Sequence, residues 1–327
     1  MSTALQEIGR ERIAGEFGWP RALTADLAYL RTGIVNVVFS GLEGAGDRNW
    51  VLIDAGLPGF AGSIRRAAAK RFGEGARPSA ILLTHGHFDH VGSLQTLAEA
   101  WDAPIFAHEK ELPYLTGMSP YAPPDPNVGG GMMPLMSWMF PRGPIDLKGR
   151  VHPLPADGSV PFMPGWRWVP TPGHTAGHVS FFREGDATLI VGDAFVATKQ
   201  ESVLAILEQR KEIHGPPTYF TPDWVSARRS VEDLAKLEPA LAITGHGLPL
   251  EGHELKVGLH NLARDFDTVA VPHHGRYAHQ PAVADDSGVV SVPPEKPGLP
   301  AGLAIGLGAG ALLGLALGAM VAGRKRG

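Results

Sequence analysis

The sequence predicts an α/β protein that carries one additional, membrane-spanning helix. Three observations lead to this prediction. Strand-like and helix-like segments alternate along most of the 327 residues, a histidine-rich loop directly follows a short apolar strand, and the stretch from 297 to 323 contains no charged residue. Alternation of this kind is typical of sheets that are flanked by helices. A chain of this length can form one large domain or two small ones.

The composition narrows the classes of protein to consider. Hydrophobic residues make up 44% of the chain and charged residues 19%, as in ordinary globular proteins. The net charge is -4 and no basic stripe is present, so we expect no nucleic-acid partner. Because the chain has no cysteine, a transition-metal site would have to use histidine nitrogens and carboxylate oxygens. The charged N-terminus predicts no secretory signal peptide.

Hydrophobic patterning places the predicted elements along the chain. Two strands at 33–40 and 50–54, joined by a glycine-rich turn, come first. A helical pattern at 60–71 and a short buried strand at 80–83 follow. The remaining predicted elements are helices at 92–101, 223–237 and 251–267, and strands at 104–107, 166–169, 178–183, 188–191 and 240–244. The second half of the chain thus repeats the alternation of the first.

Two segments interrupt this alternation. Residues 116–150 are rich in proline, glycine and methionine, and they are too long for an ordinary connection, so we interpret them as a lid-like insertion. Its methionines can line an apolar substrate pocket or simply pack against the domain. Residues 271–298 contain proline, histidine and serine without apolar periodicity, which is typical of a linker. The main domain is therefore predicted to be 1–270.

The strongest functional signal is the loop that follows the strand at 80–83. His85, His87, Asp89 and His90 lie within six residues. Burying them without partners would be costly, and a glycine in the loop allows their side chains to converge on one point. Imidazole together with carboxylate suits zinc, iron or manganese. Three more candidate ligands follow other strands, namely His174, Asp193 and His246.

The four motifs HxHxDH at 85–90, TPGHTAGH at 171–178, GD at 192–193 and GH at 245–246 resemble those of the metallo-β-lactamase superfamily in order and spacing. The resemblance covers about 30–265. It implies a four-layer αβ/βα sandwich, two mixed sheets flanked by helices, with the metal site at one edge between the sheets. It also makes 1–270 the catalytic domain.

The resemblance further implies two divalent metal ions, with zinc expected and iron or manganese as alternatives. One metal would be held by His85, His87 and His174. The ligands implied for the second are Asp89, His90 and His246, with Asp193 bridging both ions. Asp54 matches a motif that supports the ligand loop in the family, although an aspartate before glycine is also a common turn residue. We expect His178 to be a hydrogen-bonded supporting or core residue.

The chemistry that the resemblance implies is hydrolysis. A metal-bound hydroxide would attack an ester-type carbonyl, in an acyl thioester or a lactone, and Asp89 would act as the catalytic proton shuttle. The insertion and TPGHTAGH look most like glyoxalase II-like hydrolases, and lactonases share the ligand set. The alternatives are an iron-dependent enzyme similar to persulfide dioxygenases and a non-catalytic, membrane-tethered metal-binding module. We expect a small molecule as the substrate.

The uncharged C-terminal stretch predicts a transmembrane helix at 299–323, because its length and apolar composition suffice to span a bilayer. Glycines every fourth residue would form a groove for helix–helix self-association. These glycines are Gly302, Gly306, Gly310, Gly314 and Gly318. We therefore expect a membrane protein with a single-pass C-terminal anchor and a cytoplasmic catalytic domain.

Overall fold

Two β-sheets form the centre of the molecule in the computed structural model, which describes residues 19–295. The seven strands of the first sheet are β1 (Arg21–Ala22), β2 (Leu27–Thr32), β3 (Val35–Ser40), β4 (Val51–Ile53), β5 (Ala80–Leu82), β6 (Ile105–Ala107) and β7 (Val151–Pro153). The five strands of the second sheet are β8 (Trp166–Pro170), β9 (Val179–Arg183), β10 (Thr188–Gly192), β11 (Leu241–Thr244) and β12 (Leu250–Glu251). A separate hairpin consists of β13 (Val283–Asp285) and β14 (Gly288–Ser291).

Both sheets are mixed. In the first, strands β1 to β4 pair antiparallel and β4 to β7 pair parallel. In the second, only the pair β10–β11 is parallel. Parallel neighbours require crossover connections, which are usually helical. The described helices are α1 (Ala61–Phe72), α2 (Phe88–Val91), α3 (Leu94–Trp101), α4 (Leu112–Leu115), α5 (Met132–Met136), α6 (Val203–Glu208), α7 (Trp224–Lys236) and α8 (Gly252–Val269).

Three apolar clusters separate four layers. The first lies between the first sheet and helices α1 and α3, and it includes Trp50 and Phe72. The second lies between the two sheets, where Ile53 faces Phe181 and its neighbours. The third packs the second sheet against α7 and α8. This layering confirms the αβ/βα sandwich of the predicted fold class.

The segment at 271–295, which we predicted to be a linker, contains the hairpin β13–β14 and packs against the insertion. Tyr277 is buried, and its hydroxyl donates a hydrogen bond to the carbonyl of Pro123 at 2.7 Å. The backbone amide of Val289 donates to the hydroxyl of Ser119 at 3.2 Å. Sequence patterning missed these contacts because their partners lie 154 and 170 residues apart.

The prediction of a transmembrane helix is corrected by the structure. Among residues 19–295, no helix is long and apolar enough to cross a membrane. The longest described helix, α8, is amphipathic: it buries a stripe that includes Leu255 and Phe266 and exposes polar residues on its other face. The predicted span 299–323, with its repeated glycines, lies outside the described residues. Neither the membrane anchor, nor the membrane localisation, nor self-association through those glycines is supported.

The first apolar cluster offers a test of core packing. Trp50 is fully buried, stacked on Phe72 at 4.4 Å between ring centroids and edge-on to Trp101 at 5.5 Å. We expect Trp50→Ala to lower the free energy of unfolding by about 3–5 kcal/mol, since a large side chain is replaced by a cavity. Urea denaturation measures the change. The control Leu42→Ala, at a 60% exposed position, should stay within about 0.5 kcal/mol, and equal effects of the two substitutions would contradict the assignment.

Candidate metal centre

The predicted ligands lie on loops that follow strands of both sheets. His85 and His87 come directly after β5, and Asp89 and His90 lie in the short helix α2. The other three come from the second sheet: His174 lies between β8 and β9, Asp193 follows β10, and His246 follows β11. These loops meet at one edge of the sandwich. The structure thus brings together all seven side chains, and each is less than 9% exposed.

The donor atoms of these side chains form three overlapping groups. Each group has its donor atoms within 4.8 Å of one another and could hold a metal ion. The first group is His85, His87 and His174; the second is His85, His90 and Asp193; the third is Asp89, His90 and His246. Because the second group shares a member with each of the others, Asp193 lies between two potential metal positions.

Individual distances fit a compact polynuclear site. His87 Nδ1 and His174 Nε2 are 2.9 Å apart. One carboxylate oxygen of Asp193, Oδ2, lies 3.5 Å from His174 Nε2 and 3.1 Å from His246 Nε2. Ligand atoms about 2.0–2.1 Å from a tetrahedral zinc ion are roughly 3.3–3.4 Å from one another. The observed separations lie on either side of that value.

Unpaired buried atoms point to the same centre. Among the described residues, His85 Nε2, His90 Nε2 and Asp193 Oδ1 are buried without a hydrogen-bond partner. Leaving three such atoms unpaired in the interior is costly, whereas a cation between them would satisfy all three at once. The donor set of imidazoles and carboxylates suits zinc, iron or manganese. The residues present therefore fit a metal centre.

The metal-free site is electrostatically divided. Burial and the charge of neighbouring histidines lower the pKa of His85 and His174 well below the usual value, and the pKa of His87 falls to about 4. Burial acts in the same direction on His90 and His246. There, however, the charges and hydrogen bonds of two carboxylates together outweigh burial: Asp193 and Asp54 raise the pKa of His90 well above its usual value, and Asp193 and Asp89 raise that of His246 to about 10.

Asp54 supports the ligand loop, which is one of the two roles that the sequence left open; the other was that of a turn residue. Its Oδ1 accepts the backbone N–H of Thr84 at 2.9 Å, and its Oδ2 lies 2.8 Å from His90 Nδ1. The backbone of Asp54 has φ 59°, a left-handed conformation that aspartate tolerates better than most residues. By accepting a proton of the imidazole at Nδ1, the carboxylate directs His90 Nε2 toward the metal centre.

His178 is a supporting residue, in line with its predicted role. Its Nε2 accepts the backbone N–H of Asp193 at 2.9 Å, and its Nδ1 lies 2.7 Å from the hydroxyl of Thr171. Burial lowers the pKa of His178 to about 3, so the ring is neutral and can accept this bond. His178 therefore fixes the backbone of the central carboxylate.

Sequence reasoning missed Glu111, which joins the two histidine loops. Its buried carboxylate accepts the backbone N–H groups of Gly86 and Gly177, both at 2.9 Å, and the hydroxyl of Thr175 at 2.7 Å. The hydroxyl of Tyr121 donates a further hydrogen bond to it. Burial raises the pKa of Glu111. A glutamate beside an apolar LPYL stretch was the only signal for this role, and it did not reveal the distant partners.

Asn36 was missed for the same reason. It lies on β3 of the first sheet, yet its side-chain amide donates to the carbonyls of Thr244 and Gly247 in the second, at 2.9 and 2.7 Å. The neighbouring carbonyl of Ile34 lies 2.8 Å from His246 Nδ1, which orients Nε2 of that ring toward Asp193 and the candidate metal centre. The contact between the sheets thus positions the seventh candidate ligand.

The class of protein follows from comparison with known families. The family model described as the metallo-beta-lactamase superfamily matches residues 30–246, which is more than half of the chain. This chain therefore belongs to the metallo-beta-lactamase superfamily, as its motifs and its sandwich fold predicted.

Particular relatives support this membership. The chain is 45% identical over 240 residues to probable metallo-hydrolase YflN of Bacillus subtilis, a match covering 73% of this chain and 90% of the relative. Probable metallo-hydrolase YybB of the same organism is 32% identical, over 60% of this chain and 74% of that protein. A solved B3 metallo-beta-lactamase with an active site glutamic acid shares the fold at TM-score 0.50 and 18% identity, over 79% and 91% of the two chains. These matches do not specify a glyoxalase II-like branch.

Because the pKa values of His90 and His246 are raised, we expect metal binding to release protons. His90 and His246 are protonated at pH 7 in the metal-free protein and must become neutral to act as ligands. We expect roughly two protons to be released when zinc fills the site, and the affinity to rise with pH up to the pKa of His246, about 10. Calorimetric titration in buffers of different ionisation enthalpy measures the release. A heat that is independent of the buffer would contradict this prediction.

The contact of Asp54 with His90 predicts a selective loss of metal affinity. Asn can adopt the left-handed backbone of Asp54 but brings no charge, so Asp54→Asn should weaken metal binding by the groups that contain His90 about 10–100-fold. Competition with a chromophoric chelator measures the metal affinity. The matched control is Asp47→Asn, which removes a surface carboxylate paired with Arg77 and should leave the affinity unchanged. If the two variants bind alike, Asp54 does not orient the ligand.

Proposed function

We propose that this protein is a dinuclear metal-dependent hydrolase that acts on an ester-type carbonyl, in an acyl thioester or a lactone. The observation that carries the proposal is the convergence of seven buried donor side chains in overlapping groups around Asp193. Membership of the metallo-beta-lactamase superfamily and the names of the relatives, probable metallo-hydrolases, support hydrolysis. The choice of an acyl carbonyl rests on the resemblance of the motifs.

In this proposal, His85, His87 and His174 hold one metal, and Asp89, His90 and His246 hold the other, with Asp193 between them. A bound metal pair supplies two things: it lowers the pKa of a water molecule to near neutrality and it stabilises negative charge on the attacked carbonyl oxygen. The chain's own task is to fix the ligands in one geometry. Asp54, His178, Glu111 and Asn36 do this through the hydrogen bonds described above.

Asp89 is the residue that we propose for proton transfer. With 8% exposure it is the most accessible of the seven side chains. Burial raises the pKa of Asp89, but the hydrogen bond and charge of His246, 3.4 Å away, hold that pKa below its usual value. His246 would be neutral as a metal ligand, and the bound cation would then be the positive charge that keeps the Asp89 carboxylate ionised and able to accept a proton from the attacking water. Having accepted it, Asp89 can pass the proton to the leaving group.

A cavity of about 340 Å³ reaches the site from solvent and gives a small molecule access. Its lining includes His87 and His174, two of the residues proposed for the first metal. A substrate carbonyl placed there would lie beside the proposed metal pair. The volume is at the lower end of the usual range for ligand pockets, which favours a small-molecule substrate over a polymer.

The decisive experiment uses the full chain loaded with zinc, manganese or iron. Proton release is assayed with a panel of acyl thioesters, lactones, phosphodiesters and a β-lactam. We expect turnover of thioesters or lactones, and we expect His174→Ala and Asp193→Ala each to lower kcat/KM at least about 100-fold, because each removes a ligand.

The matched controls are His253→Ala and Asp233→Ala, which remove an exposed histidine and an exposed aspartate on helices α8 and α7. These variants should retain the activity. Turnover of only phosphodiesters or of the β-lactam would replace the proposed substrate class. Two bound metals without any hydrolysis, or oxygen uptake by the iron form, would overturn the proposal.

A further inference from the structure

The cavity that leads to His87 and His174 is walled by two segments outside the metal loops. One is the insertion, through Tyr121, and the other is the C-terminal strap, which we define as residues 275–291. Tyr277 and Val289 of the strap line the cavity, together with Phe220 of the second half of the chain. A substrate that reaches the metal centre through this cavity therefore contacts residues that the superfamily motifs do not include.

Aromatic rings line the cavity beside His87. The ring centroids of Tyr121 and Phe220 lie 4.6 and 4.8 Å from that of His87. Tyr114 stacks on Tyr121 at 3.9 Å. Each of these aromatic residues is less than 9% exposed, so their orientation is fixed by packing.

The hydroxyl groups of two tyrosines are already engaged away from the cavity. Tyr121 donates its hydroxyl proton to Glu111, and Tyr277 donates to the carbonyl of Pro123. These two side chains therefore offer ring surface, and not a free hydrogen-bond donor, to a ligand. Aromatic surface of this kind is best complemented by an apolar or aromatic group, which gains area burial and ring–ring contact.

The charges that line the cavity do not favour an ionic ligand. Besides the histidines, its charged lining residues are Lys110 and Asp223, one of each sign. The carboxylate of Asp223 accepts the backbone N–H of Ser226 at 3.0 Å and its hydroxyl at 2.6 Å, at the N-terminus of α7. With one charge of each sign, the lining carries no net charge that would attract an ionic ligand. It therefore gives no electrostatic advantage over an uncharged group.

The strap is a fixed wall because both of its ends are held. At its start, the backbone N–H of Arg276 donates to the carboxylate of Asp125 in the insertion. Further along, the amides of Ala282 and Val289 donate to Pro222 O at 3.0 Å and to Ser119 Oγ at 3.2 Å. Successive side chains of β14 point to opposite faces of the strand. Val289 lines the cavity, while its neighbour Val290 is 57% exposed and does not line it.

We infer that this cavity is an acyl-group subsite for a compact, uncharged aromatic or apolar substituent, and that the C-terminal strap is its specificity-determining wall. This inference rests on the proposed function, since the acyl carbonyl must lie beside His87 and His174. The substituent then extends between Tyr121, Phe220 and Tyr277 toward Val289. We expect no preference for a charged acyl group, because Lys110 and Asp223 leave the lining without a net charge.

The test compares two thioesters with the same leaving group, phenylacetyl and acetyl N-acetylcysteamine, on the metal-loaded full chain. We expect kcat/KM to be at least tenfold higher for the phenylacetyl compound. Val289→Trp should reduce this preference at least fivefold by filling the cavity. The matched control Val290→Trp adds the same side chain to the outer face and should keep the preference. Val289→Thr preserves the side-chain volume but adds a hydroxyl, and it should reduce the preference for the phenylacetyl compound by a smaller factor. This variant keeps the test valid if Val289→Trp does not fold.

A binding measurement separates the two proposals. Ligand-observed NMR on the metal-free protein should show phenylacetamide binding at least tenfold more tightly than acetamide, with the difference reduced in Val289→Trp. If phenylacetamide binds more tightly and Val289→Trp reduces this difference, but no thioester or lactone is hydrolysed, the proposed function is wrong and the subsite is still supported. Hydrolysis with equal kcat/KM for the two thioesters, or equal loss of preference in both tryptophan variants, would overturn the subsite.

Discussion

The desolvation of seven polar side chains at one point is the constraint on which the rest of this structure depends. Five imidazoles and two carboxylates are withdrawn from water at the edge where the two sheets meet. Each needs partners, because an unpaired buried polar group costs several times the net gain of an ordinary hydrogen bond. The protein supplies some of those partners itself and leaves His85 Nε2, His90 Nε2 and Asp193 Oδ1 for a cation. The fold keeps these seven side chains buried together, although each would otherwise be solvated by water.

That requirement explains why the supporting contacts cross the molecule. Glu111, from the turn after β6, binds the backbone of both histidine loops, and Asn36 of the first sheet binds the His246 loop of the second. Loops on separate sheets would otherwise move independently, and a shift of about 1 Å at a catalytic centre can be costly. Buried hydrogen bonds that span long sequence separations convert two sheets into one rigid frame for the site.

The sequence alone predicted the features that depend on neighbouring residues, such as motifs and helices. It did not predict contacts between residues that lie far apart in the chain. HxHxDH concentrates four candidate ligands in six residues, and periodicity predicted helices such as Ala61–Phe72 and Trp224–Lys236 to within one or two residues. Glu111 and Asn36 had no comparable signal, because their partners are 25 to 211 residues away. The composition of 271–298 predicted a linker. It did not reveal the strap, because the residues that hold the strap in place, such as Asp125, lie in another segment of the chain. The membrane-spanning helix was predicted from composition, which does not establish that a helix forms.

Different segments of the chain hold the candidate metal ligands and line the cavity. Superfamily motifs contain the proposed metal ligands, and they leave the substrate open, since one scaffold hosts many chemistries. The cavity walls come instead from the insertion and the strap, which join each other through Asp125, Pro123 and Ser119 rather than through the ligand loops. Substitutions in these walls can therefore change which ligand fits the cavity without moving a donor atom. Tyr121 is the exception: its ring lines the cavity while its hydroxyl binds Glu111, so a change there reaches both the substrate and the histidine loops.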